Sequence, residues 1–183
     1  MSAVAVDWDA NAIGEGPDFA RFALLGALLQ KHISNGSVLD IGCDTGKLKD
    51  LLGEASYLGI DARAEAIEAA KRRFPELRFI CARAEEWKPD QMFDAVVFNE
   101  SLYYLENFTA VLGKFHRFLR QGGLLAISIY KHPRRFSPNS KALRAVRHFI
   151  MGRYLKIYDI TITSEGSSWN VLIARKQLDA LYV

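Results

Sequence analysis

The sequence predicts an α/β fold with a doubly wound, mostly parallel seven-stranded sheet, helices on both faces and an antiparallel C-terminal hairpin. Two observations support this prediction. Short apolar runs alternate with amphipathic stretches along most of the chain, as in successive βαβ units. The apolar runs are continuous and do not alternate with polar residues, which is expected of strands that helices cover on both faces.

The first half of the chain supplies three of the strands. Pro17 marks the start of a helix whose apolar stripe runs from Phe19 towards His32. A short apolar strand over 38–41 then runs into Gly42. The elements predicted next are a helix over 47–53, a strand over 57–60 ending at Asp61, an Ala-rich helix over 62–74 stopped by Pro75, and a strand over 78–82.

The second half supplies the other four strands. A fourth strand is predicted over 93–98. Phe108, Val111 and Phe115 mark one face of the following helix, which Gly122-Gly123 is expected to end. The elements after it are a fifth strand over 124–130, a helix from 139 to about 153, and two β-rich runs over 156–164 and 168–175 that form the hairpin.

Length and composition restrict the class of protein. A chain of 183 residues predicts one domain over 1–183. Within it we expect an N-terminal helical lid or packing segment over 1–36, a cofactor-binding core over 37–130, and a helix with the closing hairpin over 131–183. Hydrophobic residues make up 50% and charged residues 25%, which disfavours disorder, collagen and coiled coil. A net charge of +3 is too small to indicate nucleic acid as a partner.

Targeting and cross-linking signals are weak. No apolar run approaches the roughly 20 residues of a membrane-spanning helix. Asp7 and Asp9 lie near the start without a basic flank, which argues against a signal peptide. Cys43 and Cys81 are too few for a disulfide framework or a zinc site. We therefore expect a soluble cytoplasmic protein with no membrane partner and no metal.

The strongest motif is the run VLDIGCDTG over 38–46, in which a strand enters a glycine-containing turn that opens a helix. Only Gly42 and Gly46 are present, so the G-x-G-x-x-G pattern of nicotinamide dehydrogenases fails. Asp40 and Asp44 would repel a pyrophosphate, whereas they suit a ligand with positive charge, such as the sulfonium and ammonium of S-adenosylmethionine. Asp61, 21 positions after Asp40, is placed to accept hydrogen bonds from ribose hydroxyls, with a helix cap as the alternative.

With these motifs, the stretch 38–130 resembles the class I S-adenosylmethionine-dependent methyltransferases, which share a Rossmann-like fold. The run FDAVVFNESLYYL over 93–105 is similar to the fourth-strand motif of their small-molecule branch. Part of it, 99–105, also resembles the branch that contains nodulation N-methyltransferases acting on sugar amines. Four other segments match family motifs: 38–46, the acidic second-strand motif 57–61, the adenine segment 79–87, and the turn 119–125 into the fifth strand. The closing hairpin, with Trp169 leading its last strand, fits the family's sixth and seventh strands.

The resemblance implies S-adenosyl-L-methionine as the cofactor and assigns residues to it. The implied cofactor-binding residues are Asp40, Gly42, Cys43, Asp44, Gly46, Asp61, Ala62, Arg63, Arg83, Ala84, Glu85, Asn99 and Glu100.

Three positions depart from the family pattern. Asp44 stands in place of the middle glycine, and Asp tolerates a left-handed backbone better than most residues. Arg83 stands where the family often has the Asp that accepts from the adenine amino group, and Gln121 replaces a proline. The first two departures keep open an alternative reading, a methyltransferase-like protein that binds cofactor or a partner without turnover.

The implied reaction is an in-line methyl transfer to nitrogen or oxygen of a small-molecule acceptor held near the end of the fourth strand. Glu100 and His132 are the candidate bases. Tyr103 and Tyr104 offer aromatic faces for cation–π contact with a sulfonium or an amine, although packing against the following helix is the alternative for at least one of them. Nucleic-acid methylation is disfavoured because Asn99 begins neither an N-P-P-Y motif nor a run with a nucleophilic cysteine.

Three features outside the motifs have two interpretations each. Trp8 and the first helix either form a lid over the cofactor or pack on the sheet. Arg21 either binds the carboxylate of the cofactor or lies on the surface. The basic face of Arg144, Arg147 and His148 either attracts an acidic substrate or is solvated. The short segment 131–138 leaves the acceptor site open, which admits a bulky acceptor or a second copy of the chain in a homodimer.

Overall fold

A seven-stranded sheet forms the centre of the molecule in the computed structural model, which describes residues 16–134 and 136–177. The strand order is β3-β2-β1-β4-β5-β7-β6. The first five strands are parallel, and β7 lies antiparallel between β5 and β6. This arrangement confirms the predicted fold class. The strands are β1 Ser37–Ile41, β2 Ser56–Asp61, β3 Arg78–Cys81, β4 Phe93–Asn99, β5 Leu119–Tyr130, β6 Tyr154–Ser164 and β7 Ser167–Lys176.

Helices cover both faces of this sheet. The helices are α1 Phe19–Ile33, α2 Ala64–Arg73, α3 Phe108–His116 and α4 Pro138–Ile150. Leu25 and Leu29 of α1 share one apolar core with Ile67 of α2, while α3 and α4 contribute to the core on the opposite face. Side chains cap α3 and α4, because Asn107 and Ser137 accept hydrogen bonds from N–H groups in their first turns. In the described part of the chain, no helix is long and apolar enough to cross a membrane.

Two predicted elements differ in the structure. The helix predicted over 47–53 is a 3-10 helix over Lys47–Leu51. Gly122 and Gly123 do not end α3, which stops at His116, and they lie inside β5 instead. The reason is that the chain already pairs with β4 at Leu119, and the register with β4 shifts between Phe93 and Ala95 to absorb extra residues. Gly122 has φ +74, which suits this irregularity.

The strand order also determines where a ligand can bind. The chain runs outward from β1 to β3 and then returns across β1 to start β4 on its other side. Crossover connections diverge at this point, so a crevice opens beyond the carboxyl ends of β1 and β4.

Candidate functional site

A cavity of about 850 Å³ lies at this edge of the sheet. Its walls come from the first turn of α1, the turns that follow β1 and β4, the end of β2, and the segment after β3. The volume falls within the range of small-molecule and cofactor pockets.

The turn after β1 lets backbone form the cavity floor. Gly42 and Gly46 both have φ +75, a left-handed conformation that glycine adopts without strain. The N–H groups of Gly42 and Cys43 donate to the carbonyl oxygen of Ile60 over 2.8 and 3.0 Å, which ties the turn to β2. A Cβ atom on Gly42 would lie 2.4 Å from the Cβ atom of Ser101, so no side chain fits at this position.

Asp44 takes the left-handed conformation expected of its position, with φ +50. Its N–H donates to Oδ2 of Asp61 over 3.0 Å, and its carboxylate pairs with the guanidinium of Arg63 over 2.6 Å. The N–H of Arg63 in turn donates to Oδ1 of Asp61 over 2.9 Å. The turn therefore accommodates the aspartate, and Arg63 balances its charge.

Asp40 lies behind the cavity wall, with 1% of its surface exposed. Its Oδ2 accepts a hydrogen bond from the Tyr57 hydroxyl over 2.7 Å, while Oδ1 has no hydrogen-bond partner among residues 16–134 and 136–177. Burial raises the pKa of Asp40 to about 7, and the hydrogen bond from Tyr57 opposes that rise.

The turn after β4 carries a carboxylate in the cavity wall, that of Glu100. Glu100 has φ +58, and its Oε2 accepts from the Tyr103 hydroxyl over 2.6 Å. The hydroxyl of Ser128 on β5 lies 2.7 Å from Oδ1 of Asn99 and 3.2 Å from Oε1 of Glu100. Burial raises the pKa of Glu100, while the charge of Arg21 and the hydrogen bond from Tyr103 oppose that rise.

Arg21 is buried, with 2% of its surface exposed, which excludes the surface position among its two interpretations. Its guanidinium donates to Asp18 over 2.8 and 3.2 Å and to the side-chain oxygen of Asn99. The ring of Phe22 lies 4.4 Å from the guanidinium carbon. The first turn of α1 thereby joins the end of β4, and its remaining turns pack Leu25 and Leu29 against the sheet.

Arg83 does not leave an unbalanced positive charge in the segment after β3. Its guanidinium lies 3.4 Å from the carboxylate of Glu86 and 3.8 Å from those of Glu85 and Glu106. Ala84 is buried beside it, and the segment forms one wall of the cavity.

Most of the residues singled out in the sequence line this one cavity. Those that do are Gly42, Asp44, Asp61, Ala62, Arg63, Arg83, Ala84, Glu85, Asn99, Glu100, Tyr103 and Tyr104. Asp40, Cys43 and Gly46 do not line the cavity. His132 also lies outside it, with its Nδ1 accepting from the N–H of Arg134. Trp8 falls outside the described residues.

The sequence reasoning missed several wall residues. Lys47 is buried at the start of the 3-10 helix, and Ser101 donates its hydroxyl to the carbonyl oxygen of Ile41. Phe19 and Phe22 enter the wall from α1. For Lys47 and Ser101 a signal existed, because Lys47 directly follows the motif over 38–46 and Ser101 lies inside the motif over 93–105. The positions of the two phenylalanines depend on how α1 packs, which no local pattern encodes.

The charged side chains in the cavity wall restrict the kind of ligand that the cavity can hold. Among the residues that the structure describes, the acidic side chains in its lining outnumber the basic ones by one: Asp18, Asp44, Asp61, Glu85 and Glu100 against Arg21, Lys47, Arg63 and Arg83. Arg21 pairs with Asp18 and Arg63 with Asp44. Such a set accepts hydrogen bonds from hydroxyls and attracts positive charge, whereas it opposes a pyrophosphate. These residues fit a ligand with a ribose and a cationic end, as S-adenosylmethionine has.

Comparison with known proteins assigns the family. Residues 18–161 match the model of the methyltransferase domain family, which is most of the chain. The chain therefore belongs to this family, as a class I S-adenosylmethionine-dependent methyltransferase domain. The family assignment agrees with the motifs and with the fold.

Curated relatives match over part of their length. Trans-aconitate 2-methyltransferase of Azoarcus sp. is 31% identical over 111 residues, which are 58% of this chain and 43% of that protein. Malonyl-[acyl-carrier protein] O-methyltransferase of Paenibacillus sp. is 27% identical over 157 residues, 79% of this chain and 56% of that protein. The chain thus spans about half the length of these relatives.

Solved structures share the fold over nearly the whole chain. N-methyltransferase NodS from Bradyrhizobium japonicum WM9 superposes with a TM-score of 0.76 at 20% identity, covering 88% of this chain and 97% of that one. Its complex with S-adenosyl-L-homocysteine gives a TM-score of 0.75 at 18% identity, covering 90% of each chain. The 1,6-didemethyltoxoflavin-N1-methyltransferase of Burkholderia thailandensis gives 0.70 at 18% identity, covering 88% and 80%.

Proposed function

We propose that this chain transfers a methyl group from S-adenosylmethionine to a small-molecule acceptor, with the acceptor atom beside Glu100. Of the nitrogen and oxygen acceptors that the sequence left open, an amine nitrogen suits this site best. When bound, the cofactor supplies a methyl group on a positively charged sulfur. The protein residues then have to align the acceptor, exclude water and accept a proton.

Asp61, at the end of β2, supports the proposed binding of the cofactor. Each oxygen of the Asp61 carboxylate accepts one backbone N–H, which fixes its orientation beside the cavity. Oδ1 also accepts from Nε of Arg63 over 3.4 Å, whereas Oδ2 retains a further lone pair, through which Asp61 would accept from a ribose hydroxyl. The backbone at Gly42 and the side chain of Asn99 would lie against the methionine end, and Ala84 and Glu85 against the adenine.

One observation supports the acceptor site, the half-buried carboxylate of Glu100 in the cavity wall. Arg21 is the cation that both Asp18 and Glu100 share at this end of the cavity, so two carboxylates face one guanidinium and a net negative charge remains. The aromatic rings of Tyr103 and Tyr104 stand beside it, with centroids 4.6 Å apart. A carboxylate with aromatic neighbours attracts an ammonium group and repels an anionic acceptor.

Glu100 would also accept the proton that the amine loses. Burial raises the pKa of its carboxyl group above the ordinary value, which makes it a stronger base than an exposed glutamate. The bound ammonium would first lose a proton to Glu100, which frees the lone pair of the nitrogen. That lone pair would form the new bond to the methyl carbon, while the bond from that carbon to sulfur breaks and leaves its electrons on sulfur. The curated relatives named above are a trans-aconitate and a malonyl methyltransferase, so an amine acceptor would separate this chain from them.

A methyl-transfer screen tests the proposal. The full chain is incubated with labelled S-adenosylmethionine and with amines, including amino sugars, phenols and polycarboxylic acids, and each product is identified by mass. We expect transfer to amines, and a loss of about 100-fold or more in Glu100→Gln. Glu86→Gln removes an exposed carboxylate outside the cavity wall and serves as the control.

Two results would contradict the proposal. Suppose that the chain methylates carboxylic acids and that Glu100→Gln does not change the rate of this transfer. That result would argue against an amine acceptor and against Glu100 as the base. Binding of S-adenosylmethionine without transfer to any acceptor class would favour a protein that binds the cofactor without turnover.

A further inference from the structure

Lys114 of α3 holds the segment after β3 by three hydrogen bonds. Its Nζ donates to the carbonyl oxygens of Ala84, of Glu85 over 3.0 Å, and of Trp87 over 2.7 Å. An ammonium group has three donors and no acceptor, so these contacts use its whole capacity. The same nitrogen lies 4.9 Å from the ring centroid of Phe115, which belongs to the apolar core.

The segment it holds is a single turn. The N–H groups of Glu86 and Trp87 both donate to the carbonyl oxygen of Arg83, over 3.1 and 3.0 Å. A turn of this kind is not continued by further helix, so its last carbonyl groups need other donors. A cation at the carbonyl end supplies them and also interacts favourably with the dipoles of the turn.

The opposite side of this turn forms part of the cavity wall. Arg83, Ala84 and Glu85 line the cavity, whereas Lys114 does not. The N–H of Ala82 donates to the carbonyl oxygen of Asp61 over 2.9 Å, so the turn is tied to β2 on one side and to α3 on the other. Lys114 can therefore fix the position of this part of the cavity wall without contacting a ligand.

We propose that Lys114 is a positioning residue, which fixes the turn over 83–87 so that its cavity side matches the bound cofactor. The consequence for binding rests on the proposed function, since it takes S-adenosylmethionine as the ligand. Loss of the three donors leaves three carbonyl oxygens without their partner, and the turn then rearranges to reach water. The cavity wall moves with it, and the cofactor binds less tightly.

The test compares two lysines with the same chemistry. Lys114→Met keeps the aliphatic stem and removes the donors. Lys49 also donates to two carbonyl oxygens, those of Gly53 over 2.6 Å and Ala55 over 3.1 Å, in a loop that does not line this cavity. Lys49→Met is thus the matched control, and Lys114→Arg tests rescue by another cation.

Calorimetric titration with S-adenosylhomocysteine is the first measurement. We expect Kd to rise about tenfold in Lys114→Met, which corresponds to about 1.4 kcal/mol, and to recover in part in Lys114→Arg. Lys49→Met lowers thermal stability but keeps the wild-type Kd. An unchanged Kd in Lys114→Met, or an equal rise in Lys49→Met, would overturn the proposal.

Amide hydrogen exchange on the free chain supplies a second readout that needs no ligand. We expect exchange at the N–H groups of Glu86 and Trp87 to accelerate at least tenfold in Lys114→Met and to stay unchanged in Lys49→Met. If the wild type binds no S-adenosylhomocysteine but exchange accelerates in Lys114→Met, the proposed function is wrong, while the role of Lys114 in fixing the turn is supported. If the wild type binds it and neither readout changes, the positioning role fails alone.

Discussion

The hydroxyl of Tyr103 donates to Oε2 of Glu100 over 2.6 Å, and the two residues lie three positions apart in the turn that follows β4. This hydrogen bond orients the carboxylate and stabilises its charged form. Tyr103→Phe removes it and keeps the ring. We expect the pKa of Glu100 to rise further, so that the acidic limb of the kcat profile moves to higher pH and turnover at pH 7 falls about 2- to 10-fold.

The control for that change is Tyr154→Phe. The hydroxyl of Tyr154 also bonds to a side chain, Nδ1 of His116 over 2.7 Å, but it does not line the cavity. A profile that moves equally in both variants would show that the Tyr103 hydroxyl has no specific influence on Glu100.

The wild-type pH profile follows from the same group. Burial raises the pKa of Glu100 above 4.5, and only its ionised form can accept the proton. Turnover therefore increases with pH through that raised pKa and then levels off, with the half-maximum above pH 4.5. The profile is measured at saturating cofactor and acceptor. A turnover number that stays constant down to pH 4.5 would rule out Glu100 as the base.

Asp61→Asn tests the proposed ribose contact. The amide keeps the size of the side chain but loses the charge and one acceptor oxygen. We expect Kd for S-adenosylhomocysteine to rise about 10- to 100-fold, since hydrogen bonds to charged groups contribute about 1.5–3 kcal/mol. Asp94→Asn is the matched control, because Asp94 likewise accepts a backbone N–H, from Ser37 over 2.8 Å, but does not line the cavity. Equal Kd values in the two variants would contradict the assignment.

The close approach of Gly42 to Ser101 predicts that alanine substitutions at two glycines differ in their cost to stability. Gly42 and Gly122 have nearly the same conformation, with φ +75 and +74. A Cβ atom on Gly122 meets nothing within 4 Å, whereas one on Gly42 would lie 2.4 Å from the Cβ atom of Ser101. Gly122→Ala should therefore cost only the left-handed strain, about 1–2 kcal/mol, and Gly42→Ala about 1–3 kcal/mol more. Urea denaturation measures both, and equal losses would contradict the close contact.

The parts of the fold and site that sequence patterns predicted are local. The strand over 38–41 and the turn at Gly42 could be located because apolar runs and glycines signal them within a few residues. Asp61 was recognisable because its spacing from Asp40 follows from one strand–helix–strand unit. Ends of elements were less predictable, as at Gly122, where pairing with β4 overrides the helix-stop signal.

The parts that could not be predicted depend on contacts between distant segments. Arg21 bonds to Asn99, 78 positions away, and a helical pattern alone does not distinguish a buried arginine with such a partner from a solvated one. Lys114 contacts carbonyl oxygens 27 to 30 positions earlier. Every residue has a backbone carbonyl, so the sequence gives no indication of which ones accept from this lysine. Both residues became recognisable only once the sheet had brought α1, α3 and the β3 segment to one edge.

The most direct test of the account is calorimetric titration of the full chain with S-adenosylmethionine and S-adenosylhomocysteine, with NADH as the comparison ligand. The carboxylates that face the cavity, Asp44 and Asp61 among them, predict micromolar binding of both sulfur compounds and none of NADH. Folded protein that binds neither sulfur compound, or that binds NADH in their place, would contradict the account.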